Sequence, residues 1–418
     1  MKNAADNGRH VGNHTRSTPQ LPRLTKISYG AGAAAFGVKD QGFTALVLIF
    51  YNQVIGLPAQ TVGIIIFLAL IVDAILDPIV GQMSDNWKSR WGRRHPFMYA
   101  AALPAAASYI MMWHPPEVSQ TLVAIYLFFA AVIVRSFITI YEIPSSALAP
   151  ELTADYDERT KVFAFRQFFG WIAGVSMTIL AFRFFLQPSA EQPIGQLNRE
   201  GYSTYALVAA AIIFLSIMVS ALGTHKYIPR LHKAPATTRP KRDFLRQLIE
   251  AFSHKAFLVL AIAALFNAMA QGLVLSMQVY VSTYLFQLSS QQIGMIAASS
   301  LISALLALNL APVLARRFGK MNAARFSKLT ALLFVLIPVL LVLTGGISSV
   351  NDTTNFLRIF FFCSTMASLG TIICAILVNS MVADVVEDFE RRSGKRTEGT
   401  FFAIDRPPPS GPLGLLVH

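Results

Sequence analysis

The sequence predicts an all-α polytopic membrane protein with about ten transmembrane helices arranged in two bundles. Three observations lead there. Of the 418 residues, 54% are hydrophobic and only 14% are charged, whereas soluble domains carry about 25% charged residues. Apolar runs near 20 residues in length, sufficient to cross a bilayer, follow one another at close intervals along the whole chain. The net charge of +13 sits in the connections between those runs, which is the pattern of membrane topology and not of nucleic-acid binding.

Ten spans are read in order, at about 28–56, 60–83, 96–114, 120–148, 163–186, 203–223, 255–286, 291–315, 326–346 and 355–382. Each must be helical, because backbone polar groups in hydrocarbon need partners within their own segment. Lys39 and Asp40 interrupt the first span, and Arg135 and Glu142 the fourth. The first 26 residues are polar and basic without an apolar core, so they read as a cytoplasmic tail and not as a signal peptide. Basic residues cluster after spans two (Lys88, Arg90, Arg93, Arg94), six (Lys226 to Arg246), eight (Arg316, Arg317, Lys320, Arg325, Lys328) and ten (Arg391, Arg392, Lys395, Arg396), while the connections at 57–59 and 287–290 carry none. The amino terminus and every even-numbered loop are therefore expected in the cytoplasm, with the helices in the plasma (inner) membrane. Cys363 and Cys374 share one apolar run, so no disulfide framework is implied.

The chain divides into a basic tail (1–26), a six-helix bundle (27–223), a cytoplasmic linker (224–252), a partial bundle of four helices (253–382) and a cytoplasmic or aberrant tail (383–418). An internal repeat supports the division. Glu151, Asp155 and Arg159 follow span four, and Asp384, Asp388 and Arg392 follow span ten, with the same i, i+4, i+8 spacing 233 positions apart. Repeated halves are the usual plan of secondary transporters. Applied to spans five and six, the repeat calls for two further spans at about 396–456. The stretch IDRPPPSGPLGLLVH, with its three consecutive prolines, cannot cross a bilayer. Ten helices of an expected twelve are thus read, and a truncated, transport-incompetent chain stands as the alternative reading.

The chemistry is concentrated in TVGIIIFLALIVDAILDPIVGQMSDNWKSRWGRRHPF, residues 61–97. An ionisable group at membrane depth costs roughly 2.5–3.5 kcal/mol on the insertion scale and points to an ion or substrate path. Asp73 and Asp77 are four residues apart and stack on one helix face. Two like charges so close cannot both stay ionised without a counter-charge. They require either a cation or proton between them, or a structural Arg or Lys from elsewhere in the fold. Asp40 and Glu142 can accept hydrogen bonds from solute hydroxyls, or can balance Lys39 and Arg135. Arg166 can meet the solute or snorkel to the interface. Arg135 and Arg183 read as structural, and Tyr29, Tyr51, Tyr280 and Tyr284 as interfacial or packing residues. Asp85 with Arg90, Arg93 and Arg94 can form ion pairs that hold a cytoplasmic gate. Glu151, Asp155 and Arg159 can partner that cluster, and Asp384, Asp388 and Arg392 repeat the arrangement in the second half. The competing reading is charge placed only for topology. No metal cluster, nucleophile–base motif or glycine-rich phosphate loop occurs, so an enzyme is not expected. A membrane sensor, with the basic 224–252 segment on anionic lipid, is the remaining alternative.

Four stretches together resemble the major facilitator superfamily (MFS) and, within it, the glycoside–pentoside–hexuronide:cation symporters typified by melibiose permeases. They are SYGAGAAAFGVKD (28–40), VDAILDPIVGQMSDNWKSRWGRRHP (72–96), YEIPSSALAPELTADYDERT (141–160) and MVADVVEDFERRSGKRTEGTFFA (381–403). The resemblance implies a two-bundle transporter that couples a proton or sodium to entry of a glycoside-like solute by alternating access. It implies no cofactor beyond the coupling ion, a small polar solute and membrane lipid as partners, and no nucleic acid or obligate protein partner. Asp73 and Asp77 match the cation-coupling pair, as metal ligands only if the ion is sodium. Thr139 matches the hydroxyl that completes that site, Asp40 and Glu142 match the carboxylates that hold sugar hydroxyls, and Arg166 matches an arginine of helix five. The chain also departs from the pattern. Glu142 stands where those permeases have Asp, Ser146 and Ala375 where they place Trp, and Leu76 where some have Asn, which tilts the coupling ion toward the proton. The lysine of helix eleven has no counterpart.

Overall fold

A computed structural model describes residues 21–153, 155–230, 255–345 and 353–393. Among them are ten long helices and no strand: α1 (Arg23–Val54), α2 (Ala59–Asn86), α3 (His95–Met112), α4 (Gln120–Leu152), α5 (Tyr156–Leu180), α6 (Arg199–His225), α7 (Lys255–Tyr280), α8 (Ser290–Phe318), α9 (Lys320–Leu343) and α10 (Thr353–Ser393). Eight stretches in these helices are long and apolar enough to cross a membrane.

The helices follow the ten expected spans, with two corrections. Lys39 and Asp40 do not interrupt the first helix; they lie within an α-helical segment, Ala33–Gln41. The irregularities are π turns further on, at Gly42–Leu46 and Phe50–Val54. The second correction concerns the helix ends, which overrun the apolar runs. Arg316 and Arg317 form the last turn of α8, and Lys320, Arg325 and Lys328 belong to α9, so the expected basic loop shrinks to Gly319. Gly319 has φ 76°, a left-handed conformation that only glycine adopts without strain. Hydropathy marks the part of a helix that lies in hydrocarbon, whereas basic side chains on long stems continue the helix into the interface.

The pattern of α2 shows how each helix is set in place. Ile64, Phe67, Leu68, Ile71, Ile75 and Ile79 are exposed, while Val62, Ile65, Ala69, Asp73, Val80 and Ser84 are buried. One stripe faces lipid and the other faces protein, and Asp73 is on the protein stripe. Helix α2 packs on α4, α3 on α4 and α6, and α1 on α5 and α6. Two of these pairings recur in the second half, as α8 on α10 and α9 on α10. The ends recur too. α1 finishes in a π turn at Phe50–Val54 and α7 continues into one at Val281–Leu285, and in each case the next helix begins five residues later.

Helices α1 and α5 approach with almost no space between their backbones. A Cβ on Gly37 would fall 1.8 Å from the Gly170 carbonyl oxygen, and one on Gly174 would fall 2.8 Å from the Gly37 oxygen. This contact fixes the depth of Asp40 on α1 relative to Arg166 on α5. Gly37→Ala is therefore expected to force the helices apart and lower the unfolding temperature markedly, an overpacking cost of about 1–3 kcal/mol or more. Thermal unfolding of the purified variant measures it, and an unchanged midpoint would contradict the packing.

The two halves meet chiefly at the end where α1 turns into α2 and α7 into α8. Tyr280 donates to Asn52 Oδ1 at 2.9 Å and Leu48 O at 3.2 Å, and Tyr284 donates to Gln53. Tyr280 and Tyr284, expected at the lipid interface or in packing, thus bridge the halves. Gln196, in the α5–α6 connection, is 1% exposed. Its amide donates to Thr283 Oγ1 at 3.1 Å and Leu288 O at 2.9 Å, and its oxygen accepts from Ser290 Oγ at 2.8 Å. The main apolar core runs through α1–α6 and crosses to Val279, Phe286, Leu288, Ile293, Ile296, Phe356 and Phe360. A second, separate cluster, formed by Ala307, Ala311, Ala323, Ala324, Ile373 and Leu377, stays within α8–α10.

Candidate functional site

Helix α4 carries three polar residues on one face, Arg135, Thr139 and Glu142, four and three positions apart. This spacing aligns side chains along a helix. Because α4 packs on α2, the first two residues meet the acidic pair. Thr139 Oγ1 donates to Asp73 Oδ1 at 2.7 Å and lies 3.3 Å from Asp77 Oδ1. Arg135 forms an ion pair with Asp73 Oδ2. Asp73 and Arg135 are buried, at 8% and 3% exposure, and Asp77 is half-buried.

The third residue meets α5. Arg166 forms an ion pair with Glu142 Oε1. It also donates to Ser145 Oγ at 2.9 Å and to the Tyr29 hydroxyl at 3.3 Å, and Tyr29 in turn donates to Ser145 O at 2.9 Å. Arg166 is 6% exposed, so it does not snorkel. Glu142 Oε2 has no hydrogen-bond partner among the described residues, which leaves an acceptor available beside a fixed guanidinium. On α1, Lys39 Nζ lies 3.9 Å from Asp40 Oδ1 and over the Phe36 ring at 4.5 Å.

The sequence-predicted residues Asp40, Asp73, Asp77, Thr139, Glu142 and Arg166 thus all lie in the core of the first bundle. The expected charge partners are corrected. Arg135 serves Asp73 and not Glu142, and Arg166 serves Glu142. Seven residues on α4 bring Arg135 and Glu142 to nearly one face, but α2 covers the first and α5 the second, so each takes the partner on its own neighbour. Position in an apolar run signalled that Arg135 needs an acid but not which one.

The charge cluster that follows α2 is partly assembled. Arg94 is buried, pairs with Asp85, donates to Ser84 Oγ at 2.6 Å and reaches Glu151 Oε1 at 3.1 Å. Arg93 reaches the same oxygen at 3.1 Å. Arg90 departs from expectation: it lies in an exposed turn with its guanidinium 5.4 Å from the Trp91 ring and forms no ion pair among the described residues. Asp155 caps α5, accepting from the Glu158 amide at 2.8 Å, and Arg159 follows in the first turn of that helix. Asp384, Asp388 and Arg392 fall on α10, and their side chains lie outside the described residues. Sequence reasoning missed two contacts here. Lys26 and Glu158 form a buried ion pair at 2.7 Å, and His95 Nε2 lies 3.0 Å from Thr224 Oγ1. Lys26 is the last residue of the basic tail in the sequence and looks like tail charge, and a histidine at a span end carries no signal.

The family described as "MFS/sugar transport protein" matches residues 28–407. An uncharacterized symporter of Synechocystis, sll1374, is 26% identical over 93% of this chain and 82% of its own length. The isoprimeverose transporter of Lactiplantibacillus pentosus is 24% identical over 91% and 75%. Among solved structures, the nucleoside transporter NupG (D323A mutant) superposes with a TM-score of 0.62 at 13% identity, covering 94% of this chain and 90% of that one. The xylose transporter XylE of E. coli, in a partially occluded inward-open conformation, gives 0.56 at 14% identity, covering 94% and 95%. At such identities the superpositions establish the fold.

Proposed function

Because the chain belongs to the MFS/sugar transport protein family, we propose that it is a secondary transporter that couples a monovalent cation, proton or sodium, to movement of a glycoside-like polar solute across the plasma membrane. The observation that carries this reading is the polar core of the first bundle, where one face of α4 brings Arg135 and Thr139 to the carboxylate pair of α2 and Glu142 to Arg166 of α5. Asp73, Asp77 and Thr139 are the coupling site. Asp40, Glu142 and Arg166 hold the solute, with Glu142 Oε2 accepting from one of its hydroxyls and Arg166 donating to another. The isoprimeverose transporter among the relatives supports a sugar-like solute.

The alternating step rocks one half against the other. With the amino terminus in the cytoplasm, as the positive-inside rule favours, the Gln196 and Tyr280 contacts lie at the outer face. The conformation described is then closed to the outside. Asp85, Arg93, Arg94 and Glu151 hold the cytoplasmic end of the first bundle rigid. They form the gate surface with Asp155 and Arg159, against the matching Asp384, Asp388 and Arg392 of the second half. Arg90 contributes charge at the membrane surface. Uptake of a panel of labelled glycosides into right-side-out vesicles tests the reading. Accumulation that rises with an imposed proton or sodium gradient is expected, and identical uptake with and without a gradient would refute coupling.

A further inference from the structure

Both oxygens of Asp73 are engaged by protein donors, Oδ2 by Arg135 and Oδ1 by Thr139. Arg135 is 3% exposed, with its guanidinium 5.7 Å from the Phe43 ring centroid and its Nε without a hydrogen-bond partner among the described residues. The ion pair to Asp73 is the contact that holds it. A positive group, covalently attached to α4, therefore occupies one of the two Asp73 oxygens that a metal ion bound by this pair could use.

We propose that Arg135 acts as a tethered cation that excludes alkali-metal ions from the Asp73–Asp77–Thr139 cluster. The native chain then binds no sodium there, and removing the guanidinium turns the cluster into a sodium or lithium site. This rests on reading the cluster as the coupling site, and it fixes which ion that site refuses.

The chemistry follows from ligands and charge. A hard cation is held by oxygen lone pairs. Asp73 Oδ2 accepts from Arg135, so a metal at that oxygen would lie directly beside the guanidinium, and the side chain of the neighbouring Leu76 has no oxygen to offer. The bundle core holds Lys39 and Asp40 on α1, Asp73 and Asp77 on α2, Arg135 and Glu142 on α4, and Arg166 on α5. Four carboxylates thus face three cations, one net negative charge. A metal ion at Asp73 would meet the guanidinium as a like charge in the same site, which disfavours binding. Without Arg135 the core carries two net negative charges and Asp73 has a free oxygen. Glutamine at position 135 adds an amide oxygen in place of the repulsion.

The test uses the purified full-length chain, with radioactive sodium binding and thermal unfolding in sodium, lithium or choline chloride at one ionic strength. Native protein is expected to unfold at the same temperature in all three salts and to bind sodium no better than Asp73→Asn. Arg135→Gln is expected to bind sodium at least tenfold more tightly than native protein and to gain unfolding temperature in sodium or lithium. Arg135→Gln with Asp73→Asn should lose that gain, and Arg135→Lys should behave as native. Asp73-dependent sodium binding by native protein would overturn the proposal, as would a folded Arg135→Gln indifferent to sodium. Should Arg135→Gln fail to fold in every salt, native binding decides, because its absence supports the proposal and its presence overturns it. Failure of the coupling reading is seen separately, as gradient-driven uptake that Asp73→Asn leaves unchanged.

Discussion

Arg166→Ala is expected to abolish solute binding and to destabilise the protein by about 3–5 kcal/mol, the cost of removing one partner from a buried ion pair. The size follows from what remains. Glu142 would be left half-buried with neither oxygen paired by a cation, and Tyr29 and Ser145 would each lose a donor. Arg166→Lys should recover part of the stability and little of the binding, because a lysine cannot reach Glu142, Ser145 and Tyr29 together as the planar guanidinium does. Arg166→Ala combined with Glu142→Ala removes both charges, so stability should return most of the way while binding stays lost. Unfolding temperature and solute affinity, measured on all three variants, separate the two roles. Recovery of both in the double variant would show the pair to be structural only.

Gln196→Ala is expected to shift the balance between the two access states by about 100-fold toward the one open at the outer face. Three buried hydrogen bonds, to Thr283, Leu288 and Ser290, disappear, at about 1 kcal/mol each, and every 1.4 kcal/mol is a tenfold change in a population. The effect falls on conformation because these bonds join the two halves, whereas the ladder within each half is untouched. A cysteine placed at Thr44, one turn beyond Asp40, in a chain with Cys363 and Cys374 replaced by serine, reports it. A membrane-impermeant thiol reagent applied from outside should label the Gln196→Ala form far faster than the parent. Equal rates would mean that Gln196 does not hold that end closed.

The helix order was legible because hydrocarbon imposes one requirement on every span, an apolar run of about 20 residues with its backbone satisfied internally. The acidic pair was legible for the complementary reason, since an aspartate in such a run is expensive and stands out. What could not be read was pairing across helices. Arg135 and Arg166 were both visible as isolated cations, but which carboxylate each meets depends on the packing of α2 and α5 against opposite ends of one α4 face. Gln196 gave no signal at all. A neutral polar residue in a connection costs nothing in water, and its burial against Thr283, Leu288 and Ser290 exists only once the two halves meet. Helix ends were not legible for a further reason: Arg316, Arg317, Lys320 and Arg325 are helical residues that lie outside the apolar runs.

The coupling claim reduces to charge. The core of the first bundle holds four carboxylates and three cations, and on the proposed reading one mobile positive charge that accompanies the solute balances the surplus. Asp73→Asn removes the surplus, leaving three carboxylates against three cations. The most direct measurement compares two rates for this variant and the native chain in the same vesicles: accumulation of labelled solute driven by an ion gradient, and exchange of labelled for unlabelled solute with no gradient. Accumulation should fall to the level of simple equilibration in Asp73→Asn while exchange persists. Accumulation that survives undiminished in a well-folded variant would contradict the assignment of Asp73 to the coupling site.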